Sequence, residues 1–348
     1  MKKEIQEKLV KARKGGFNSK ELGAVVVIEG ELMGGARRYM GHRQFVEVQV
    51  PHITRVSGAC ENIQTLFETD FFGNDAYLSQ TGQLYLEAFV SRFSRVSCIG
   101  PSFRSEPTVD TRHLVEFPLI EMEHTGGMAA LQARIEGIIG AMVNQTLDWA
   151  EKELNTLGVN QKELEKLLPP FTTITYRRAV EALEDMGVKW GDDLKSQHEA
   201  YLIARNDGKP LYVTHYPAHI KFFNMRVNRK DERIVNSGDL LLPYSGEAVG
   251  SAEREEDVSI LERRLRESDM MRLMKERLST RPEFAGGDYQ QLEGEVMNRF
   301  RWYLDLIKED PIKHAGCGIG FNRVAQAVLQ ATDIRAVTAY PLNKETIL

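Results

Sequence analysis

The stretch from Phe103 to Glu123, FRSEPTVDTRHLVEFPLIEME, places carboxylates, two arginines and a histidine beside apolar side chains. Its flanks, SFRSE and LVEFPLIEME, alternate with period two around the polar segment PTVDT, which predicts a β-hairpin. Arg104 and Glu106 then share one face, and Glu121 shares a face of the return strand with Glu123. One interpretation is a solvated sheet face with cross-strand ion pairs. The other is a pocket in which arginines contact phosphate and carboxylates contact an amine.

A second stretch, GCGIGFNRVAQAVL, alternates glycines at 316, 318 and 320 just before a predicted helix. Missing side chains on one face of a strand would let a flat ligand lie against the backbone. Arg323 falls in the first turn of the helix, where the helix N-terminus also attracts an anion. A tight strand-to-helix joint explains the glycines equally well, and no Gly-Lys-Ser or Gly-Lys-Thr follows to make a P-loop.

The composition describes a chain that can bury a large core without metals or disulfides: 348 residues, 42% hydrophobic and 27% charged. The cysteines, Cys60, Cys98 and Cys317, lie far apart, so no zinc site or disulfide framework is expected. The charged N-terminus has no apolar run behind it, so we expect neither secretion nor a membrane partner, and a cytoplasmic location. A net charge of −5 does not favour a broad surface for nucleic acid.

The elements that must position these stretches follow from the change of hydrophobic period along the chain. Residues 1–42 are predicted to be helical, and QFVEVQVPHI is predicted as a strand that ends at Pro51. A helix is expected from Leu131 to about Leu154, short strands from 172 to 252, and two charged helices before the glycine stretch. Helices mixed with antiparallel-looking strands predict an α+β domain.

Three stretches, in order, resemble the signature motifs of class II aminoacyl-tRNA synthetases: RRYMGHRQFVEVQVPHIT motif 1, the 103–123 stretch motif 2, and GCGIGFNRVAQAVL motif 3. The resemblance is to the catalytic core of the aspartyl and asparaginyl branch and covers nearly all of residues 30–342. SQTGQLYLEA is closer to asparaginyl enzymes, because aspartyl enzymes usually have a lysine at the position of Leu86. The resemblance implies a mostly antiparallel sheet flanked by helices, with residues 1–30 a helical extension and 31–348 the catalytic domain.

The resemblance also implies the reaction. A substrate carboxylate attacks the α-phosphate of ATP, with Mg²⁺, to give an acyl-adenylate and pyrophosphate, a step that needs alignment and charge dispersal rather than a general base. The catalytic residues would be Arg104, at the α-phosphate and the substrate carboxylate, and Arg323. The remaining implied ATP contacts are Arg112 and His113 at the outer phosphates, Phe117 and Glu106 at adenine, and Glu247, Gly318 and Gly320.

Further implied ligands concern the metal and the amino acid. Asp239 and Glu247 would hold magnesium through carboxylate oxygens. The implied amino acid contacts are Glu61, Gln83 and Glu121 at the ammonium group, and Leu86 and Arg254 at the side chain. With leucine in place of the lysine, less charge offsets the burial of an aspartate carboxylate, which favours asparagine slightly and keeps aspartate as a second substrate.

The sequence departs from the family pattern at several places. Gln44 replaces a common glycine of motif 1, Asn62 and Ile63 follow Glu61 where relatives often have two glycines, and Gly250 replaces a serine. The second departure predicts a stiffer loop over the substrate, and the third puts a further metal ligand in doubt.

The acceptor of the acyl group is a separate expectation. An OB-fold anticodon domain would need roughly 100 residues before the core, whereas about 30 precede it. We therefore expect transfer to ammonia or a small amine, as in the archaeal asparagine synthetases of this family. Charging of tRNA, and a non-catalytic amino acid or nucleotide sensor, are the alternatives. The motif 1 helix and strand imply a homodimer.

Overall fold

The computed structural model describes residues 1–11, 17–56, 63–284 and 287–346. Its strands are Val46–Glu47 (β1), Ile53–Thr54 (β2), Glu68–Phe71 (β3), Asn74–Leu78 (β4), Arg95–Phe103 (β5), Glu116–Thr125 (β6), Thr172–Thr175 (β7), Leu211–Thr214 (β8), Ser237–Leu242 (β9), Gly246–Glu253 (β10) and His314–Gly320 (β11). Its α-helices are Lys3–Lys11 (α1), Lys20–His42 (α2), Gln83–Phe93 (α3), Met128–Trp149 (α4), Glu151–Leu157 (α5), Gln161–Leu164 (α6), Tyr176–Ala182 (α7), Ser196–Arg205 (α8), Val258–Glu267 (α9), Asp269–Ser279 (α10), Tyr289–Glu309 (α11) and Phe321–Leu329 (α12).

The large sheet has the strand order β1-β5-β6-β11-β10-β9-β8-β7. Neighbouring strands are antiparallel from β5 through to β8, and the outer strands β1 and β7 pair parallel with β5 and β8. A small antiparallel sheet, β2-β4-β3, lies apart from it. The α+β prediction with a mostly antiparallel sheet is confirmed.

The hairpin predicted for the 103–123 stretch is present in part as β5 and β6. Because β5 ends at Phe103, Arg104 and Glu106 follow the strand instead of sharing one of its faces. Phe103 pairs with Glu116, and Cys98 pairs with Glu121 further along the ladder. Gly318 pairs with Glu121 from the other side, on β11. Two distant stretches of the sequence therefore lie on neighbouring strands, which brings the carboxylates of one beside the glycines of the other.

The main core lies between the sheet and the helices α2, α4 and α12, whose apolar faces pack together on it. The predicted boundary at residue 30 falls inside α2, and buried side chains on both sides of it, such as Ile28 and Leu32, join this core. The predicted strand before Pro51 is shorter than expected, because β1 pairs with β5 over Val46 and Glu47 and has no second neighbour in the described sheet.

Two smaller cores complete the fold. One joins α9, α10 and α11 to the small sheet, with Phe223 and Phe300 in edge-to-face contact at 5.5 Å. The other lies under β7 and β8 against α7 and α8. No helix in the described ranges combines the length and apolar character needed to cross a membrane.

Candidate active site

A cavity of about 930 Å³ is lined by β6, β9, β10 and β11 and by the segment that joins β8 to β9. The first turns of α3 and α12 and the α9–α10 junction also contribute side chains. Because these strands are consecutive neighbours in the sheet, residues that share a face on each of them meet in this one space. The cavity has an end rich in arginine and an end where the polar groups are buried.

Arg104 and Phe117 lie at the arginine-rich end. Arg104 directly follows β5, and its backbone N–H donates to the carbonyl of Val115 at 2.8 Å. Phe117 pairs with Ser102 on the hairpin, so its ring lies beside Arg104. The guanidinium carbon is 5.3 Å from the ring centroid, a cation–π contact. Both side chains line the cavity, so a planar group and an anion can be bound side by side.

Arg323, in the first turn of α12, reaches the turn between β9 and β10. Its Nη1 donates to the carbonyls of Ser245 at 3.1 Å and Glu247 at 2.8 Å. Burial, together with the nearby Arg112, lowers the pKa of the Arg323 guanidinium, which stays charged at neutral pH. Its charge is thus held in place by neutral carbonyls and can attract an anion in the cavity.

Arg112 lies behind the same turn. Its Nη2 donates to Glu199 Oε2 at 2.7 Å and to the Ser245 carbonyl at 3.4 Å. Glu199 is 6% exposed and lines the cavity, whereas Arg112 lines a neighbouring cavity of about 460 Å³. The ion pair therefore lies in the wall between the two cavities.

Two carboxylates on adjacent strands, Asp239 of β9 and Glu247 of β10, line the cavity close to the arginines. Lys221 Nζ lies 2.6 Å from Asp239 Oδ2 and 4.2 Å from the centroid of the Tyr216 ring. The described residues contain no group of three or more metal-binding side chains. Such a carboxylate pair suits Mg²⁺, which is usually bound by one or two carboxylates together with substrate phosphates.

Glu121 marks the transition to the buried end. Its carboxylate accepts hydrogen bonds from the Thr81 hydroxyl, from the Gly82 N–H at 2.7 Å and from the Cys98 thiol at 3.5 Å. Burial raises the pKa of Glu121 despite these donors. Gln83 lines the cavity beside it. A buried carboxylate of this kind favours a cationic guest, which would offset its desolvation.

Arg254 and Glu123 form a buried pair at this end. Arg254 Nη2 and Nε donate to Glu123 Oε1 at 2.5 Å and 3.1 Å. Arg254 is 4% exposed and lines the cavity. A Cβ on Gly316 would overlap the Glu123 carboxylate, so a glycine at this position is what makes room for the pair. The arginine at this end is therefore already neutralised by the protein.

Glu87 extends the pair into a network. Its Oε1 accepts from Gln83 Nε2 at 2.6 Å and from Asn224 Nδ2 at 3.1 Å, and lies 3.9 Å from Arg254 Nε. Its Oε2 accepts from the Tyr303 hydroxyl at 2.8 Å and from His314 Nε2 at 3.1 Å. Each carboxylate oxygen of Glu87 thereby accepts two hydrogen bonds from donors of the protein.

His314 balances the remaining charge of this network. Its Nδ1 is 2.7 Å from the Ile312 carbonyl, and its Nε2 bonds the Glu87 carboxylate, so both ring nitrogens act as donors and the ring is an imidazolium. Burial lowers the pKa of His314, but the hydrogen bond to Glu87 outweighs it and the net pKa is raised. With both carboxylates ionised, Glu87, Glu123, the Arg254 guanidinium and the His314 imidazolium sum to zero charge. Burial raises the pKa of Glu123 to about 7, and protonation of Glu123 would leave the network positive.

The matches with known proteins agree with this site. The chain matches the family described as tRNA synthetases class II (D, K and N) over residues 6–344. The chain belongs to the class II tRNA synthetase family. It is similar to the asparagine–tRNA ligase of Desulforamulus reducens, at 34% identity over 322 residues, covering 91% of this chain and 68% of that protein. The asparagine–tRNA ligase of Thermococcus kodakarensis is 33% identical, with coverages of 96% and 72%.

Solved structures show the same relationship. The asparaginyl-tRNA synthetase of Pyrococcus horikoshii complexed with asparaginyl-adenylate superposes with a TM-score of 0.85 at 31% identity, covering 98% of this chain and 73% of that one. The aspartyl-tRNA synthetase of Entamoeba histolytica shares the fold, with a TM-score of 0.72 at 23% identity. The chain is an AMP-forming ligase of the class II synthetase type, and its catalytic core resembles that of the asparaginyl branch.

Many of the residues that the sequence predicted for this synthetase meet in the cavity. They are Gln83, Arg104, Phe117, Glu121, Asp239, Glu247, Arg254, Gly318, Gly320 and Arg323. The predicted role of Gly316 needs a correction, because its missing side chain makes room for the Glu123 carboxylate rather than for a flat ligand. Gly318 and Gly320 line the cavity, and their role toward a ligand stays a prediction.

Other predicted residues lie elsewhere. Leu86 is fully buried with Val90, Val96 and Cys98, in an apolar cluster outside the cavity lining. The sequence placed it at the substrate side chain, whereas in this structure it is not among the residues that line the cavity. Glu61 lies outside the described residues.

The motif 2 loop accounts for the remaining differences. Asp110 accepts hydrogen bonds from the backbone N–H groups of Arg112 and His113, and His113 Nδ1 lies 2.7 Å from Asp110 Oδ2. His113, Arg112 and the half-buried Glu106 lie outside the cavity lining. The His113 ring is bound by Asp110, and the Arg112 side chain by Glu199.

Sequence reasoning missed the residues whose roles depend on distant partners. Glu87 lay within the SQTGQLYLEA stretch and Glu123 within motif 2, but neither had a predicted role. Asn224, Tyr303 and His314 come from three separate segments and meet at Glu87. The period-two alternation that places Glu123 on the same strand face as Glu121 was the signal that could have identified Glu123 as a site residue.

Proposed function

We propose that this synthetase adenylates asparagine with ATP and passes the asparaginyl group to tRNA. The observation that carries the choice of amino acid is the buried network in which Glu123 pairs with Arg254 and His314 pairs with Glu87. Because this network is already neutral, an added aspartate carboxylate would remain uncompensated, whereas a neutral amide adds no charge.

The guest amide also fits the hydrogen-bonding groups. Arg254 supplies N–H donors and Glu123 supplies carboxylate acceptors at the same point. An amide presents one acceptor and two donors, so each side of the pair finds a partner. An aspartate side chain presents acceptors only, and would face Glu123 with like charge. This pairing supports asparagine over aspartate.

The rest of the amino acid has partners along the cavity. We assign its ammonium group to Glu121, with Gln83 beside it, because Glu121 is a buried carboxylate that lines the cavity. The carboxylate that attacks ATP would lie toward Arg104, which also neighbours Phe117. Alignment of the two reactants by these side chains is the main source of rate enhancement in such a step.

The nucleotide and its metal fit the arginine-rich end. Phe117 offers a ring face for adenine, and Arg104 and Arg323 offer charges for the phosphates. Asp239 and Glu247 would hold Mg²⁺, which neutralises charge on the triphosphate. Since Lys221 is paired with Asp239, metal binding there would displace or share that contact.

The choice of acceptor rests on the relatives. The proteins of Desulforamulus reducens and Thermococcus kodakarensis are named asparagine–tRNA ligases, which supports tRNA. The expected transfer to ammonia receives no support from these comparisons. We also propose a homodimer, since apolar side chains of motif 1 and its surroundings are exposed, among them Val46 and Ile53 at 39% and 48%. The proposed location is the cytoplasm, as expected from the sequence.

The test is ATP–pyrophosphate exchange with Mg²⁺ across the twenty amino acids, followed by acceptor assays. We expect asparagine to support the fastest exchange and radiolabelled asparagine to become attached to tRNA. Exchange with none of the amino acids would contradict the adenylation. Exchange without tRNA charging, but with asparagine formed from aspartate and ammonium, would contradict the acceptor and the preferred substrate.

A further inference from the structure

Glu199 is a buried carboxylate for which the family motifs give no role. It lies in the first turn of α8, is 6% exposed, and lines the main cavity near Glu247 and Arg323. A buried carboxylate at the end of a cavity that attracts anions would repel them unless a protein cation compensates its charge. The contacts of Glu199 identify that cation.

The contacts of Glu199 converge on the turn between β9 and β10. Its Oε2 accepts from Arg112 Nη2 at 2.7 Å and, more weakly, from the Glu247 N–H at 3.4 Å. Gly246, between them, has φ of +70°. A Cβ there would overlap Glu199 Oε2 and lie 2.6 Å from Arg112 Nη2, so a glycine is required for this close approach.

The same turn is bound from the other side. Arg323 donates to the carbonyls of Ser245 and Glu247, and Arg112 donates to that of Ser245. Two guanidiniums from distant segments thus share one short turn and repel each other; burial first, and then this repulsion, lower the pKa of Arg323. The Glu199 carboxylate bonds directly to Arg112 and offsets this repulsion.

We infer that Glu199 is a positioning residue for ATP binding: it fixes Arg112 and the 245–247 turn, and through that turn it fixes Arg323. This role rests on the proposed function only in assigning ATP to the cavity. Glu199 acts through Arg112, so removing Glu199 should weaken ATP binding and leave binding of the amino acid at the far, buried end of the cavity unchanged.

The experiment is a double-mutant cycle with Glu199→Ala, Arg112→Ala and the double variant. We expect Glu199→Ala to raise both the dissociation constant and the KM of Mg·ATP about tenfold, the effect of losing one charge-assisted hydrogen bond. The KM of the amino acid should change less than about twofold, and the double variant should bind ATP no more weakly than Arg112→Ala, because coupled residues are non-additive.

Two further variants separate positioning from loss of folding. Glu199→Gln keeps an acceptor for Arg112 and should recover part of the ATP affinity. Glu163→Ala removes a carboxylate of the neighbouring cavity that is paired with Lys166, and should leave ATP affinity at the wild-type value. Thermal unfolding of each variant checks the fold.

The outcomes distinguish this inference from the proposed function. Additive effects of the two alanine substitutions, an unchanged ATP affinity in Glu199→Ala, or an equal rise in the amino acid KM would overturn the role of Glu199. Direct binding of Mg·ATP measures that role whether or not the wild-type protein exchanges pyrophosphate with asparagine. Absence of exchange by the wild type would instead count against the proposed function.

Discussion

The two ends of the cavity hold their arginines in different ways. Arg323 is held by the carbonyls of Ser245 and Glu247, which orient its charge without cancelling it. Arg254 is held by the carboxylate of Glu123, which cancels its charge before any guest arrives. An arginine held by carbonyls attracts anions, and an arginine held by a carboxylate selects neutral partners. On the proposed function, this difference would let one cavity bind a triphosphate and reject an acidic side chain.

The largest expected effect is at the carbonyl-held arginine. Arg323→Ala should lower the rate of pyrophosphate exchange by about 100- to 1,000-fold, the range seen when one preorganised donor to a developing charge is removed. The exchange rate of Arg323→Lys should lie between those of the wild type and Arg323→Ala, because lysine keeps the positive charge but not the planar set of N–H donors. The rate constant at saturating ATP and asparagine is the quantity to measure. A loss of less than tenfold in Arg323→Ala would show that carbonyl-held charge is not needed.

At the neutralised arginine, the expected change is in specificity. Glu123→Gln leaves Arg254 uncompensated by its partner and should move the ratio of kcat/KM toward aspartate by about 1–3 kcal/mol, the worth of a charge-assisted contact. The control is Glu255→Gln, another buried carboxylate, which is paired with Arg229 and lies outside the cavity lining. An unchanged ratio in Glu123→Gln would remove the basis for selection by charge balance.

Gly316 and Gly318 of β11 provide a matched pair of alanine substitutions that tests the close fit around Glu123. Gly316→Ala places a methyl group on the Glu123 carboxylate and should lower the free energy of unfolding by about 1–3 kcal/mol, as overpacking does. Gly318→Ala meets Leu119 at ordinary contact distance, and its effect on unfolding should be below about 1 kcal/mol. Chemical denaturation measures both, and equal losses would contradict the special fit at Gly316.

The last expected effect, a dependence of stability on pH, concerns His124, the residue after Glu123 on the same strand. His124 is fully buried, with Nδ1 at 2.8 Å from the Thr125 carbonyl. Burial lowers the pKa of His124 to about 4, so between pH 6.5 and about 4 the unfolded chain binds the extra proton. Stability is therefore lost as pH falls through this range, by at most about 1.4 kcal/mol per pH unit.

The variant that isolates this term is His124→Asn, which retains a donor toward Thr125. Its free energy of unfolding should depend less steeply on pH between 6.5 and 4 than that of the wild type. The slope, measured by urea denaturation at several pH values, is independent of any constant packing loss. An identical slope in both proteins would place the acid sensitivity elsewhere, for example in the Glu87–His314 pair.

The sequence predicted the strands of the hairpin and the helix after the glycines from local patterns. The roles of Arg104, Phe117, Glu121 and Arg323 came from the resemblance to class II synthetases. The network around Glu87 could not be predicted this way, since its donors come from α3, α11, β11 and the segment before β9. Charge balance between residues far apart in sequence becomes visible only when the fold brings them together.

The placement of Leu86 shows the limit of reasoning from a single changed residue. A leucine in place of a family lysine suggested a direct contact with the guest, but its side chain packs on Val90 and Val96. The neutral character of the pocket instead comes from Glu123 and His314, which compensate Arg254 and Glu87. The preference for asparagine is thus supported by a different set of residues than the sequence indicated.

The most direct test of selection by charge balance is the equilibrium binding of two non-hydrolysable sulfamoyl analogues, one of asparaginyl-adenylate and one of aspartyl-adenylate. They differ only in the side chain, so the arginine-rich end contributes equally to both. Isothermal titration calorimetry should show the asparaginyl analogue binding at least about tenfold more tightly, a difference of about 1.4 kcal/mol. Equal affinities, or tighter binding of the aspartyl analogue, would contradict the account.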